Sequence, residues 1–484
     1  MAFLKILHKN KNKASLYSDT FDIIREHFSQ EKAGMFRAKR SYFATPREYA
    51  ITPLGTFDIG LSKEIIKFAL SQGIPTEVEI DDKVKSILKP SLNFTEVLEV
   101  PNETYKLRSY QSEAIKLAIP HGRGTILLPT GTGKTLAMAA LIRSILLRNK
   151  ISGYILVLVP DIGLVSQTYD DFIKYGLENK ISKWSGSNEF NPSSEIIICN
   201  HSIIRQWNQS KIAQKLANET SLLFIDEVHT IKKGNKITKI IDAFKTNNRF
   251  GFTATMPEDL IDQWTILGKI GPIIMEMEAH EAREAKYIAD VEAKAIILKH
   301  KAPPQIKVNP DEPHEAYHAE LDWLSTCQFR NKFIINFANK MKYNSLLLVN
   351  RLEHGRALLE MARQLDVSKK IYFIEGNVEV EDREIVKKIM EENDNVICVA
   401  MSSIFSTGIS INNLHYIFFC AGGKSLVRIV QAIGRSSRLH PNKEKTVIFD
   451  IADNTRYSLK HLTKRLALYD KEKIKYEKVH ITET

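Results

Sequence analysis

Leu128-Pro129-Thr130-Gly131-Thr132-Gly133-Lys134-Thr135 stands between a short apolar run, Thr125 to Leu128, and a helical stretch from Leu136 to Leu147. Glycine accepts positive φ and close backbone approach, so a turn of this kind lets amide N–H groups and a helix N-terminus surround phosphate oxygens. Thr130, Gly131, Thr132 and Gly133 would line the phosphates, Lys134 would neutralise the β- and γ-phosphates, and the Thr135 hydroxyl would sit on Mg2+. The strict phosphate-loop spacing asks for glycine where Leu128 stands, so the stretch departs from that pattern at one position.

Outward from this turn, from Tyr105 to about Pro272, apolar runs alternate with helical stretches, the pattern of a parallel sheet covered by helices. Strands are expected at Thr125–Leu128, Tyr154–Val159, Glu195–Cys199, Ser221–Ile225 and Arg249–Phe252. After the basic, proline-containing stretch Lys299–Pro313 a second series begins, with strands expected at Ser345–Val349, Ile371–Ile374, Val396–Ala400, Tyr416–Cys420 and Thr446–Asp450. The expected architecture is α/β: two tandem domains, each a parallel sheet with helices on both faces, preceded by a small α+β domain. Ile65, Ile66, Phe68 and Ala69 give residues 61–72 an amphipathic helical pattern that stops at Gly73. The expected divisions are 1–95, 96–290, 291–455 and a basic helical tail, 456–484, with Leu459, Leu462, Leu466 and Tyr469 on the face that packs on the second α/β domain.

Composition narrows the class. A chain of 484 residues that is 43% hydrophobic and 26% charged has ordinary globular proportions, which exclude collagen-like, coiled-coil and disordered chains. No apolar stretch approaches the roughly 18 residues of a membrane span. Met1 to Lys13 has no apolar core of a secretory signal, and the four cysteines form no C-x-x-C pair, so the expected location is cytoplasmic and no zinc or disulfide framework is expected. A net charge of +11 favours a polyanionic partner. Phe36 to Phe43 interleaves cations with aromatics, which suits phosphate contact and stacking and makes Arg37, Lys39 and Arg40 candidates for nucleic-acid contact. A half-buried strand shows the same alternation.

Two further stretches carry chemistry. Leu222 to Ile225 is an apolar strand that delivers Asp226 and Glu227 at its carboxyl end, where α/β sheets bind ligands. Asp226 can hold the Mg2+ hydration shell, and Glu227 can orient or deprotonate the attacking water. Gln431 to Arg438 places Arg435 and Arg438 three apart on one helical face. Guanidinium groups take up developing charge on a transferring phosphoryl group, so both are candidate arginine fingers.

The ordered set resembles the superfamily 2 helicases and translocases, whose two RecA-like domains close on ATP. The resemblance runs over about residues 105–450. It implies that Arg108 and Gln111, in Leu107-Arg108-Ser109-Tyr110-Gln111, read the adenine, and that Asp226-Glu227-Val228-His229 is a DExH box in which His229 couples hydrolysis to strand contact. Val159 to Gln167, with Pro160 and Gln167, resembles motif Ia, and Asn200 to Ile203, with His201, takes the place of motif Ib; both imply backbone contact with one strand. Thr253-Ala254-Thr255 resembles motif III, Leu347 to Gly355 with Asn350 and Arg351 motif IV, Phe405 to Ser410 with Thr407 and Gly408 motif V, and Gln431 to Arg438 motif VI. Lys134, Asp226, Glu227, Gln431, Arg435 and Arg438 are the catalytic candidates. Thr253, Thr255, Asn350, Arg351 and Thr407 join the strand-contact set, and Gly408 the nucleotide set.

Gln431 in place of a histidine, and His229 in place of an aspartate, separate the chain from the DEAD-box RNA helicases. The motor motifs, the basic N-terminal part and the short basic tail are similar to bacteriophage UvsW-type helicases. That similarity implies an enzyme using ATP and Mg2+ to unwind and branch-migrate forked and Holliday-junction DNA in the host cytoplasm; a monomer is the working expectation, and no residue pattern fixes the oligomeric state. A DExH RNA helicase, the motor subunit of a restriction-type translocase and an ATP-gated DNA clamp share the same motor residues and stay open at this stage.

Overall fold

Tyr154 to Val159 and Leu222 to Ile225 are unbroken apolar runs, and such strands are stable where helices cover both faces of a parallel sheet. In the computed structural model they lie at the centre of a seven-stranded sheet. The structure describes residues 2–10, 12–31, 47–74, 76–89, 92, 96–148, 151–184, 191–200, 211–304, 313–375, 380–402, 411, 413–420, 443 and 445–483. It divides into two compact units, one formed by Met1–Leu128 with Gly133–Met277, the other by Pro129–Thr132 with Glu278–Thr484.

The first unit opens with β1 (Ala2–Asn10), β2 (Lys13–Ser18), α1 (Phe21–His27), β3 (Ser29–Glu31), β4 (Arg47–Tyr49), β5 (Thr56–Asp58), α2 (Ser62–Ser71), β6 (Thr76–Ile80) and α3 (Asp82–Leu88). Strands β5-β2-β1-β6 form a mixed sheet: β1 pairs with β2 antiparallel and with β6 parallel. Next come α4 (Ser109–His121), β7 (Arg123–Leu127), α5 (Lys134–Arg148), β8 (Tyr154–Val159), α6 (Ile162–Lys174), β9 (Ile181–Trp184) and β10 (Ile196–Asn200). The unit closes with α7 (Lys211–Glu219), β11 (Thr220–Asp226), α8 (Lys236–Ala243), β12 (Asn248–Thr253), α9 (Leu260–Lys269) and β13 (Ile273–Glu276). The sheet order is β13-β7-β12-β11-β8-β10-β9, parallel throughout.

The small N-terminal sheet is built onto the larger one along α9. Trp264 and Leu267 pack on the N-terminal core around Phe28, Phe57 and Ile65. Gly60 and Gly268 allow the closest approach: a Cβ at Gly60 would lie 2.4 Å from the Leu267 carbonyl oxygen, and one at Gly268 would lie 2.6 Å from Asp58 Cβ. Three buried cations complete the seam. Arg249 donates to Asn12 Oδ1 (3.1 Å) and to the Lys269 carbonyl (3.0 Å), Arg123 donates to the Ile87, Lys269 and Ile270 carbonyls, and Lys269 Nζ pairs with Asp58 (2.8 Å) and Asp242 (2.6 Å). Burial pushes the Arg123 guanidinium down to about 9, helped by neighbouring Arg249, and Arg249 down to about 10.

The second unit comprises α10 (Ala279–Glu284), β14 (Asp290–Lys299), α11 (Pro313–Thr326), α12 (Gln328–Lys340), β15 (Ser345–Val349), α13 (Leu352–Gln364), β16 (Lys370–Ile374) and α14 (Val380–Glu392). It continues with β17 (Val396–Met401), β18 (Tyr416–Phe419), β19 (Lys445–Asp453), α15 (Arg456–Lys471) and β20 (Lys475–Thr482). Its sheet, in the order β16-β17-β15-β18-β19-β14-β20, is again all parallel. The tail therefore differs from the helix expected over residues 456–484. After α15 it turns back at Lys473 (φ +51°) and adds β20 to the sheet edge beside β14. Among the described residues no helix is long and apolar enough to cross a membrane.

Candidate nucleotide and strand-contact site

Parallel pairing puts the carboxyl ends of β7, β12 and β11 side by side, and three expected motifs leave the first sheet there. Leu128 N donates to the Thr253 carbonyl oxygen (3.0 Å), which ties the start of the glycine-rich turn to motif III. The turn takes the conformation its glycines permit, with φ of +88° at Gly131 and +79° at Gly133. Thr132 Oγ1 closes it onto the Pro129 carbonyl (2.6 Å), and α5 starts at Lys134. Lys134 Nζ reaches back to the Leu128 carbonyl (3.3 Å) across the mouth of the turn.

Gln111, 2% exposed, is engaged at both ends of its carboxamide: Oε1 accepts from Arg108 N (2.8 Å) and Nε2 donates to the Gly133 carbonyl (3.1 Å). The residue expected to read adenine thus also braces the phosphate loop. A Cβ on Gly133 would lie 2.6 Å from Gln111 Nε2, so this contact depends on glycine as much as the backbone conformation does.

At the end of β11 the chain turns sharply: Glu227 has φ +51° and ψ +53°, a left-handed conformation disfavoured by any β-carbon. That turn aims Glu227 and His229 at motif III. His229 Nδ1 lies 2.9 Å from Thr253 Oγ1 and 3.2 Å from Glu227 Oε2, and Thr253 Oγ1 lies 3.1 Å from the Thr255 carbonyl oxygen, to which it donates. The acid at the sheet edge and the motif expected to contact a strand share one hydrogen-bonded cluster. The family resemblance gives His229 a coupling role and Thr253 a strand-contact role, but the contact between them depends on the β11–β12 register and is not a pattern of spacing.

The turn fits a nucleotide with Mg2+. The Thr130 hydroxyl oxygen is buried without a hydrogen-bond partner, two glycines at positive φ open the backbone, and a fifteen-residue helix begins at Lys134. Lys134 supplies a cation, while Thr135 and Asp226 are the oxygen donors a hydrated Mg2+ accepts.

Of the remaining strand-contact candidates, Pro160, Asn350 and Arg351 also follow the carboxyl ends of strands. Pro160 follows β8, where the Asp161 side chain caps α6 by accepting from Leu164 N (3.1 Å), and Gln167 lies half-buried in that helix. In the second unit Asn350 follows β15, is exposed, and accepts from Ser402 Oγ at the end of β17. Arg351 pairs with Asp322 of α11 and meets His318 Nδ1 at 3.3 Å. Asp322 and Ser402 carried no sequence signal, because their partners are set by packing alone. Arg37, Lys39, Arg40, His201, Thr407, Gly408, Gln431, Arg435 and Arg438 lie outside the described residues.

Residues 104–258 match the family model of the type III restriction enzyme res subunit, and residues 327–440 that of the helicase conserved C-terminal domain. The chain is a superfamily 2 helicase. It is ATP-dependent, as that family is, and UvsW-like. The ATP-dependent DNA helicase uvsW of Enterobacteria phage T4 is 26% identical over 455 residues, covering 86% of each chain. The DNA 3'-5' translocase XPB2 of Sulfurisphaera tokodaii is 31% identical over 225 residues, 46% of this helicase and 45% of its relative. Among solved structures, S. cerevisiae Dbp5 bound to RNA and ADP BeF3 superposes with a TM-score of 0.54 at 15% identity, covering 78% of the helicase and 90% of Dbp5, a likeness of fold.

Proposed function

We propose that this helicase unwinds and branch-migrates forked and four-way DNA, with ATP hydrolysis driven by Lys134, Asp226, Glu227, Arg435 and Arg438. The observation that carries the hydrolytic part is the cluster at the ends of β7, β11 and β12, where Thr253 of motif III is hydrogen-bonded through its carbonyl to the start of the phosphate loop and through its hydroxyl to Glu227 and His229.

In this reading Lys134 leaves the Leu128 carbonyl for the phosphates, and Thr130 donates its otherwise unpartnered hydroxyl. Bound Mg2+, held by Thr135 and Asp226, supplies charge neutralisation on the phosphate oxygens. Glu227 accepts a proton from, or orients, the attacking water. Arg435 and Arg438 take up charge developing on the transferred group. A change at Glu227 shifts the acceptor shared with His229 and Thr253, so hydrolysis reaches motif III through contacts already made, from Glu227 to the Thr253 hydroxyl and on to the Thr255 carbonyl. Pro160, Gln167, His201, Asn350, Arg351 and Thr407 grip the backbone, which favours shape over sequence and makes binding salt-sensitive.

Similarity to the T4 DNA helicase over 86% of the chain supports DNA, and the charge of +11 supports a polyanion. Arg37, Lys39 and Arg40 are proposed to hold the duplex arm, and the host cytoplasm is the proposed place of action. Strand separation on a static fork, a Holliday junction, a tailed DNA duplex and its RNA equivalent tests the reading. Preference for the forked and four-way DNA, lost in Lys134→Ala, is expected. Equal activity on RNA or on the tailed duplex would remove the branched-DNA claim and leave the motor.

A further inference from the structure

Arg330 sits in α12, 1% exposed, in a buried cluster that the nucleotide chemistry above does not use. Its guanidinium is occupied on every side. Nε donates to the two Asp453 oxygens (3.2 and 3.0 Å), Nη1 to His354 Nε2 (3.1 Å) and Nη2 to the Cys420 carbonyl (2.6 Å). A guanidinium only donates, so His354 Nε2 is the acceptor and that ring is neutral. Burial, with the Arg330 charge beside it, holds the His354 imidazole well below its ordinary range.

The three partners come from separate parts of the domain. His354 is in α13, the helix that follows Asn350 and Arg351; Cys420 follows β18; Asp453 ends β19. The sequence between Cys420 and β19 carries Gln431, Arg435 and Arg438.

We propose that Arg330 is a positioning residue of the ATPase: one guanidinium locks the strand that leads toward Arg435 and Arg438, the strand that leads away from them, and the helix of motif IV into a single register. The inference rests on the reading of Arg435 and Arg438 as arginine fingers. Lysine keeps the charge but cannot span three directions with a planar fork, so Arg330→Lys removes the geometry and retains the cation. Misplacing a reacting group by about 1 Å costs up to about a hundredfold in rate, which is the scale on which such a lock acts. Arg465 provides the comparison. It too is 1% exposed, and it is held by Asp450 (2.6 to 2.9 Å), but among the described residues that pair joins α15 to β19 and reaches neither Cys420 nor His354.

The test measures ATPase kcat and KM in the full chain for Arg330→Lys, Arg465→Lys, Arg435→Lys and Arg438→Lys, each well below its own melting midpoint. Arg330→Lys is expected to lower kcat by about tenfold or more with KM for ATP within about twofold, and Arg465→Lys to lower only the melting midpoint. A folded Arg330→Lys with wild-type kcat, or an equal loss in Arg465→Lys, overturns the positioning role. Should Arg330→Lys not fold, His354→Asn removes a single strut; it is expected to give the same selective fall in kcat, and an unchanged kcat overturns the inference. Retention of kcat by both Arg435→Lys and Arg438→Lys sinks the arginine-finger reading and this inference with it. Their loss beside an active Arg330→Lys sinks the positioning role alone.

Discussion

Glu227 stands in a left-handed conformation that costs on the order of 1–3 kcal/mol for a residue with a β-carbon, and the strain is met by the contacts around His229 and Thr253. Glu227→Gln retains size and backbone, so the fold should be unchanged while kcat for ATP hydrolysis falls by about 10²- to 10⁴-fold. A variant within tenfold of wild type in a steady-state ATPase assay would remove Glu227 from the proton-transfer step. Thr130 makes the opposite kind of prediction. Its hydroxyl is buried without a partner, at a cost of about 1–3 kcal/mol, so Thr130→Val should hold or raise the melting midpoint of the nucleotide-free protein while weakening ATP binding. Titration calorimetry with wild-type affinity would show that the hydroxyl is not a nucleotide ligand. The identities of these residues were legible in the sequence, since phosphate binding and water activation demand glycine, lysine and carboxylate at fixed spacing. Their connections were not: Gln111 on Gly133 and His229 on Thr253 arise only when the strands are in register.

Helix α9 shows what a single element does between two sheets. Trp264 packs on His27 and Phe28, with ring centroids 6.3 and 5.2 Å apart, while the carbonyls of Lys269 and Ile270 at its C-terminus accept from Arg123 and Arg249, as cations suit a helix C-terminus. Trp264→Ala should lower stability by about 2–4 kcal/mol, read in urea unfolding, with little change in the ATPase of the folded fraction. In the second unit the ends of β14 and β19 meet at His300 and Asp453, 2.9 Å apart. Burial alone would push the His300 imidazole down, but hydrogen bonds to Asp453 and Cys327 outweigh it and lift it to about 9. The folded pKa lies above the unfolded value of 6.5, so the stabilisation is complete below about pH 6.5 and is lost as pH rises through 9. Between pH 7 and 10 the wild type should therefore lose more stability than His300→Gln. Parallel slopes for the two in denaturant titrations at each pH would refute the charged pair.

At the scale of the molecule, the sheet centres were legible because β8, β11, β15 and β17 are apolar on both faces, and so was the edge strand β16, expected at Ile371–Ile374, whereas the other three edge strands were not. Ile181–Trp184 and Ile273–Glu276 are short, and Lys475–Thr482 is so polar that only its pairing with β14 identifies it. The N-terminal region was legible as an α+β unit, but its attachment was hidden for a related reason. Arg123, Arg249 and Lys269 count toward the charge of +11 that reads as solvent-facing, yet they are 2%, 0% and 4% exposed and bind the seam between the two sheets. Removing residues 1–95 would take Asn12 and Ile87 from these guanidinium groups, Asp58 from Lys269, and the apolar cover from Trp264 and Leu267. An uncompensated buried cation costs several kcal/mol, comparable with the whole stability of a domain. A chain beginning at Glu96 should therefore be insoluble or melt far below the full protein, and lose its ATPase even without DNA. If that chain melted at the same temperature and hydrolysed ATP at the same basal rate, the N-terminal unit would be a separable DNA-binding module. If it does not, loss of DNA binding on truncation says nothing about Arg37, Lys39 and Arg40, and only charge reversal within the intact chain can assign them a role.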